Sequence, residues 1–275
     1  MPTSPVKNMA VFCDFENIAL GVRDARYDKF DMRRVLEKLL LKGSIVVKKA
    51  YCDWERYKEF KAAMHESAFE MIEIPHVRQS GKNSADIRMV VDALDLCYTK
   101  EHVDTFVILS GDSDFSPLVS KLRENARTVI GVGVKNSSAD LLIANCDEFI
   151  YYDDLVRESE RESKRARRRA PARKSSDSSS QPSAPKTAQD KQQEAFELVL
   201  STIEALLAER GEEEKIWGSM VKQALKRRRP GFNESYYGFS SFSDLLEEAR
   251  TRGLLTLEPD EKSGGHIVRL AAGSR

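Results

Sequence analysis

TFVILSGDSDFS, residues Thr105 to Ser116, reads as a buried strand that runs straight into a turn bearing two carboxylates. Phe106, Val107, Ile108 and Leu109 form the continuous apolar run expected of a strand covered on both faces. Gly111 then permits a sharp exit that a residue with a side chain would resist. Open α/β sheets bind ligands outside the carboxyl ends of their strands, so Asp112 and Asp114 fall at the edge where chemistry is expected. Taken singly, each Asp also suits a turn or a helix cap. The rest of the chain decides between the two.

Working outward, MAVFCDF at Met9 to Phe15 predicts another buried strand, ending at Asp14 and followed by Glu16 and Asn17. Further strands are predicted over residues 44–54, 69–77, 128–134 and 148–152. Helical spacing marks residues 30–43, 55–68, 84–98, the stretch after Ser116-Pro117, and 137–145. Ser84 and Ser116 are the expected N-caps, and Ile87, Val90, Val91, Leu94 and Cys97 the expected inward face of the helix over 84–98. Strand and helix alternate through residues 9–155, which predicts a parallel sheet covered on both sides, a three-layer α/β domain. Strand ends and helix starts gather on one edge of such a sheet. Asp14, Asp112 and Asp114 end strands, while Asp86 and Asp140 begin helices, so separate stretches deliver carboxylates to one rim.

From about Arg157 the composition changes. Residues 156–191 are first basic, with RARRR at Arg165 to Arg169, then rich in Ser, Pro and Gln; they predict a flexible linker whose basic half is either a spacer or a phosphate-attracting arm. Residues 192–270 resume a folded pattern of three helices and two short strands around Gly264-Gly265, a winged helix-turn-helix. Ser241 and Asp244 there resemble a capping box.

Lys plus Arg and Asp plus Glu balance at 44 each in 275 residues, so no global charge advertises a nucleic-acid partner. The four cysteines are widely spaced in apolar stretches, which argues for reduced thiols rather than disulfides or a zinc site. No apolar run approaches the roughly 20 residues that cross a bilayer, and the first residues lack a signal-peptide core. A cytoplasmic protein with no membrane partner is expected.

Carboxylates crowded on one edge repel each other and raise their pKa values or demand a cation. The hard-oxygen set Asp14, Asp86, Asp112 and Asp114 suits Mg²⁺ or Mn²⁺, which can polarise a phosphoryl oxygen and supply a hydroxide for in-line displacement. Asn17 is placed to orient a water or a substrate oxygen, and Lys82 and Lys135 to hold a phosphate backbone. The competing reading is that the acids form surface salt bridges with Lys82, Arg88 or Lys135.

The motifs FCDFEN (Phe12 to Asn17), SADIRMVVD (Ser84 to Asp92), LSGDSDFSPLV (Leu109 to Val119) and SSADLLIANCDEFI (Ser137 to Ile150) together resemble a NYN domain of the LabA-like group, related to PIN-type nucleases. The resemblance covers residues 8–155 and implies a metal-dependent ribonuclease, with metal ligands at Asp14, Asp86, Asp112 and Asp114 and Asn17 beside them. Asp92 lies about 240° round the helix from Asp86 and is secondary. MVKQALKRRRPGF (Met220 to Phe232) and YYGFSSFSDLLEEARTRGLLTL (Tyr236 to Leu257) are similar to a LOTUS (OST-HTH) domain, which implies binding of RNA or a protein partner. Lys222, Lys226, Arg227, Arg228 and Arg229 are its candidate contacts. The main rival is a non-catalytic RNA-binding or adaptor protein. A haloacid-dehalogenase phosphatase and a receiver domain share parts of the topology, but their acids follow other spacings.

Overall fold

The structure, a computed structural model, describes residues 7–74, 83–169, 188–211, 214–259 and 265–271, with backbone alone at 161–169 and 188. They fall into two compact units, one within residues 5–172 and the other within 173–275.

The first unit runs β1 (Lys7–Asp14), α1 (Phe15–Asp24), α2 (Met32–Lys42), β2 (Gly43–Cys52), α3 (Lys58–Glu66), β3 (Glu70–Glu73), α4 (Ser84–Thr99) and β4 (Thr105–Leu109). A short 3₁₀ turn (Ser113–Phe115), α5 (Ser116–Glu124), β5 (Thr128–Gly133), α6 (Asp140–Asn145), β6 (Glu148–Tyr151) and α7 (Tyr152–Arg169) follow. The six strands form one parallel sheet in the order β3-β2-β1-β4-β5-β6. The chain first steps from β1 outward through β2 and β3, then returns to place β4 on β1's other side. Strand order therefore reverses between β1 and β4, which opens a crevice at their carboxyl ends.

Strand alternation splits the core in two. Met9, Val11 and Cys13 of β1 face one layer, with Phe15, Ile18, Val35 and Leu39. Ala10 and Phe12 face the other, with Met89, Leu118 and Leu122. Every residue of β4 is buried, as its unbroken apolar run requires.

The helix over 84–98 forms and turns Val90, Leu94 and Cys97 inward as expected, but Ile87 and Val91 face outward. Met89, Ala93, Leu96 and Cys97 are buried, whereas Ile87 and Val91 are 64% and 56% exposed. Apolar residues occur on both sides of α4, and the small Ala93 lets that side lie close against the sheet. The caps shift too. Ser84 and Ser116 are the first helical residues, after Asn83 and Phe115, and neither preceding residue caps through its side chain. Asp112 instead caps the 3₁₀ turn ahead of α5. Helix α7 runs past residue 155 into the stretch read as linker, with Leu155 buried and Val156 packed against the same core. Residues 170–187 of that stretch lie outside the described residues, and its last four, 188–191, already belong to the helix Ala188–Arg210.

The second unit comprises α8 (Ala188–Arg210), α9 (Gly218–Arg228), a 3₁₀ turn (Glu234–Tyr237), α10 (Phe242–Thr251), β7 (Leu255–Pro259) and β8 (His266–Leu270). Strands β7 and β8 pair antiparallel as a wing, and Trp217 ahead of α9 bridges to Ile267. Phe196, Ile203, Val221, Leu225, Phe242 and Leu246 are buried in its core. Ser241 caps α10 by accepting from Asp244 N–H at 3.1 Å. The Asp244 carboxylate reaches back to Ser240, accepting from its N–H and hydroxyl at 3.1 and 3.0 Å, one residue before the reciprocal partner of a capping box. Gly264 of the expected hairpin lies outside the described residues. No described helix is long and apolar enough to cross a membrane.

Candidate functional site

Asp14 is the last residue of β1 and the N-cap of α1, with only 8% of its surface exposed. Register carries Cys13 beside Leu109 of β4, so the next residues of both strands leave the sheet together at the crevice. There Asp14 Oδ2 accepts from the Ser110 hydroxyl at 3.0 Å, and Oδ1 accepts from Asn17 N–H at 3.4 Å. Ser110 Oγ in turn accepts from Asp112 N–H at 3.1 Å. Asn17 Oδ1 accepts from Gly111 N–H at 2.8 Å, tying the two strand exits to each other. Gly111 is required by close approach: a Cβ there would stand 2.3 Å from the Ser137 carbonyl oxygen.

Asp112 accepts from Asp114 N–H at 2.9 Å and is half-buried, whereas Asp114 is exposed. Asp86 sits in the first turn of α4, half-buried. Burial is the main reason that Asp14's pKa is raised to about 7; the charge of Asp86 adds to it, the bonds from Asn17 and Ser110 oppose it, and Asp112 adds a little more. Asp86 is raised by burial and then by Asp112, Asp114 and Glu16. These carboxylates therefore share one field at one rim. Among the described residues none of Asp14, Asp86, Asp112 and Asp114 makes an ion pair with a Lys or Arg.

Arg88, one expected salt-bridge partner, bonds Asp92 at 3.1 Å instead. Asp92 also accepts from Tyr51 OH at 2.8 Å and Lys49 Nζ at 3.3 Å. Burial acts to raise its pKa, but Tyr51, Lys49 and Arg88 outweigh that and hold it below the usual range. Asp92 is thus neutralised within the fold. Asp140 opens α6 on its exposed side. Lys135 follows β5 at the same sheet edge, with its backbone N–H bonded to Asp153 at 2.8 Å. Lys82 lies outside the described residues.

The donor chemistry fits a hard divalent cation: oxygen ligands only, mutually repelling, with no Lys or Arg ion-paired to them among the described residues. The described residues nevertheless contain no group of three or more His, Cys, Asp or Glu already gathered at metal-holding distance. The acids are near enough to perturb one another and are not drawn into a closed ligand set. An open groove on the outer face of α4, lined by Ile87, Arg88, Val91 and Asp95, includes none of the rim acids.

Sequence reasoning missed Ser110 and Glu16. Ser110 is fully buried and holds Asp14 and Asp112 at once; only its position beside the strand-end glycine hinted at a role. Glu16 reaches the rim from the first turn of α1.

In the second unit, Lys226, Arg227 and Arg228 occupy the last turn of α9 and Arg229 follows it. Lys226 and Arg229 are exposed. Lys222 is drawn into a 3.1 Å pair with Glu234.

A family profile described as the NYN domain matches residues 8–154, and one described as the OST-HTH/LOTUS domain matches residues 194–263. Nothing among curated proteins matches the chain. A crystal structure of a protein of unknown function from Vibrio parahaemolyticus is 25% identical, covers 56% of this chain and 98% of its own, and superposes with a TM-score of 0.50. The DNA-bound ORC1 protein of Aeropyrum pernix is 14% identical over 98% of this chain and 84% of its own; its TM-score of 0.23 carries no argument.

Proposed function

We propose that this chain, which belongs to the NYN domain family, is a divalent-metal-dependent ribonuclease whose C-terminal OST-HTH/LOTUS domain binds its RNA. The observation that carries the reading is the rim itself: Asp14, Asp86, Asp112 and Asp114 crowd the point where strand order reverses, and among the described residues no cation pairs with them. A fold gains nothing from such repulsion unless a ligand relieves it.

In this reading Asp14, Asp86 and Asp112, with Asp114 beside them, hold Mg²⁺ or Mn²⁺. When bound, such an ion neutralises the crowded charge and polarises a phosphoryl oxygen. Ser110 and the Asn17 N–H fix the Asp14 carboxylate. Asn17, through Gly111, fixes the loop that presents Asp112. Lys135 draws the RNA backbone toward the rim, and Lys226 and Arg229 add sequence-independent phosphate attraction on the second unit.

Cleavage of a pooled RNA by purified protein with Mn²⁺, beside Asp112→Asn, tests this. The Asn side chain keeps an oxygen for the Asp114 N–H and removes only the charge, so folding is expected to persist while cleavage falls at least a hundredfold. Equal cleavage by both proteins leaves the assignment without support.

A non-catalytic RNA-binding or adaptor role has one observation in its favour, the lack of a closed ligand set among the described residues. Calorimetric titration with Mn²⁺ separates the two readings. An adaptor needs no stoichiometric site, whereas the nuclease saturates one and loses it in Asp86→Asn.

A further inference from the structure

The turn between β2 and α3 ends beside the acidic rim and carries a cation, Arg56. Register pairs Asp14 with Tyr51, so the residues after Cys52 leave the sheet at the edge where Asp14 stands. The turn is held firmly on both flanks. Trp54 is 1% exposed, and its backbone N–H donates to Glu73 at 2.9 Å. The Phe15 ring, directly after Asp14, lies 5.0 Å from the Trp54 ring and 5.7 Å from that of Tyr57. Arg56, between those anchors, donates from Nη1 to Glu16 Oε1 at 3.1 Å, and its side chain is 49% exposed.

Among the described residues that is the one hydrogen bond the guanidinium makes. Nε and Nη2 stay available, and a guanidinium fork matches the paired oxygens of a phosphodiester. A half-exposed ion pair adds little to stability, so it does not by itself account for an Arg set on so rigid a turn. An acidic rim repels the backbone of its own substrate, and a fixed cation at its border offsets that.

We propose that Arg56, braced by Glu16, binds an RNA backbone phosphate next to the one being cut, forming a substrate subsite outside the metal-holding carboxylates. The proposal rests on the nuclease reading above. Glu16 is the positioning residue: it fixes the guanidinium through one nitrogen and leaves the remaining edge for the phosphate.

Steady-state cleavage of an unstructured RNA octanucleotide by the full chain tests this, comparing wild type, Arg56→Gln and Arg56→Lys over a range of KCl. The comparison is repeated with Lys226→Gln and Arg229→Gln in every protein, so that the second unit does not mask the effect. Arg56→Gln is expected to raise KM about tenfold with kcat within twofold. It is also expected to reduce the slope of log KM against log salt by about 0.7, one single-strand phosphate contact. Arg56→Lys restores the slope and only part of the KM, because it keeps the charge and lacks the fork. Thermal melting of both variants within a few degrees of wild type excludes a folding defect. Unchanged KM and salt slope in Arg56→Gln, or a fall in kcat alone, overturns the subsite and leaves the nuclease standing. A wild type that cuts nothing overturns both.

Discussion

The side-chain oxygen of Asn17 accepts a hydrogen bond from the backbone N–H of Gly111 at 2.8 Å, joining two chain segments 94 residues apart. Together with Ser110, which holds both Asp14 and Asp112, this bond ties the start of α1 to the exit of β4.

Asn17→Ala leaves the Gly111 N–H without its partner in a half-buried position. An unsatisfied donor there costs about 1–2 kcal/mol. Urea denaturation is expected to show that loss, and the metal-dependent cleavage of the same variant should fall further than stability alone explains. Unchanged midpoint and activity would show that the loop holds itself.

Asp14 makes stability depend on pH in an unusual direction. Its folded pKa, about 7, lies above the ordinary 3.8, so between those values the folded state keeps a proton that the unfolded chain has released. Stability then falls as pH rises through that window, by on the order of 4 kcal/mol when complete. In metal-free buffer Asp14→Asn should therefore be more stable than wild type at pH 8, with the difference gone near pH 4. An equal difference at both ends of the range would contradict the assignment.

A divalent cation acts on the same charge. Mn²⁺ that binds only the folded rim stabilises it by about 2.7 kcal/mol at a hundredfold excess over Kd. Wild type should melt several degrees higher with Mn²⁺ at pH 8, while Asp86→Asn and Asp112→Asn respond weakly. A rise of equal size in all three proteins would place the ion elsewhere.

Asp92 and Asp86 share a helix and should separate cleanly. Asp92 is held by Tyr51, Lys49 and Arg88, so Asp92→Asn is expected to cost about 1–2 kcal/mol of stability and leave kcat within twofold. Asp86→Asn should do the reverse. The check is denaturation and cleavage measured on the same preparations.

The parallel α/β architecture, Asp14 at a strand end, Asp112 in the turn just past one, Asp86 in a first helical turn and the winged second unit were all legible in the chain. Each is written in local terms: an unbroken apolar run, a period of two or of 3.6, an acid where a run stops. The inward face of α4 was legible only in part: Val90, Leu94 and Cys97 pack inward as expected, but Ile87 and Val91 are exposed while Met89, Ala93 and Leu96 are buried, because apolar residues occur on both sides of the helix. Nor could local pattern reveal that Ser110 holds Asp14 and Asp112 together, that Arg88 closes on Asp92, or that Arg56 meets Glu16. Sequence decided which carboxylates reach the edge of the sheet. Tertiary structure decided which acid is paired within the fold, as Asp92 is, because charge pairing depends on distances between segments that only the folded sheet brings into contact.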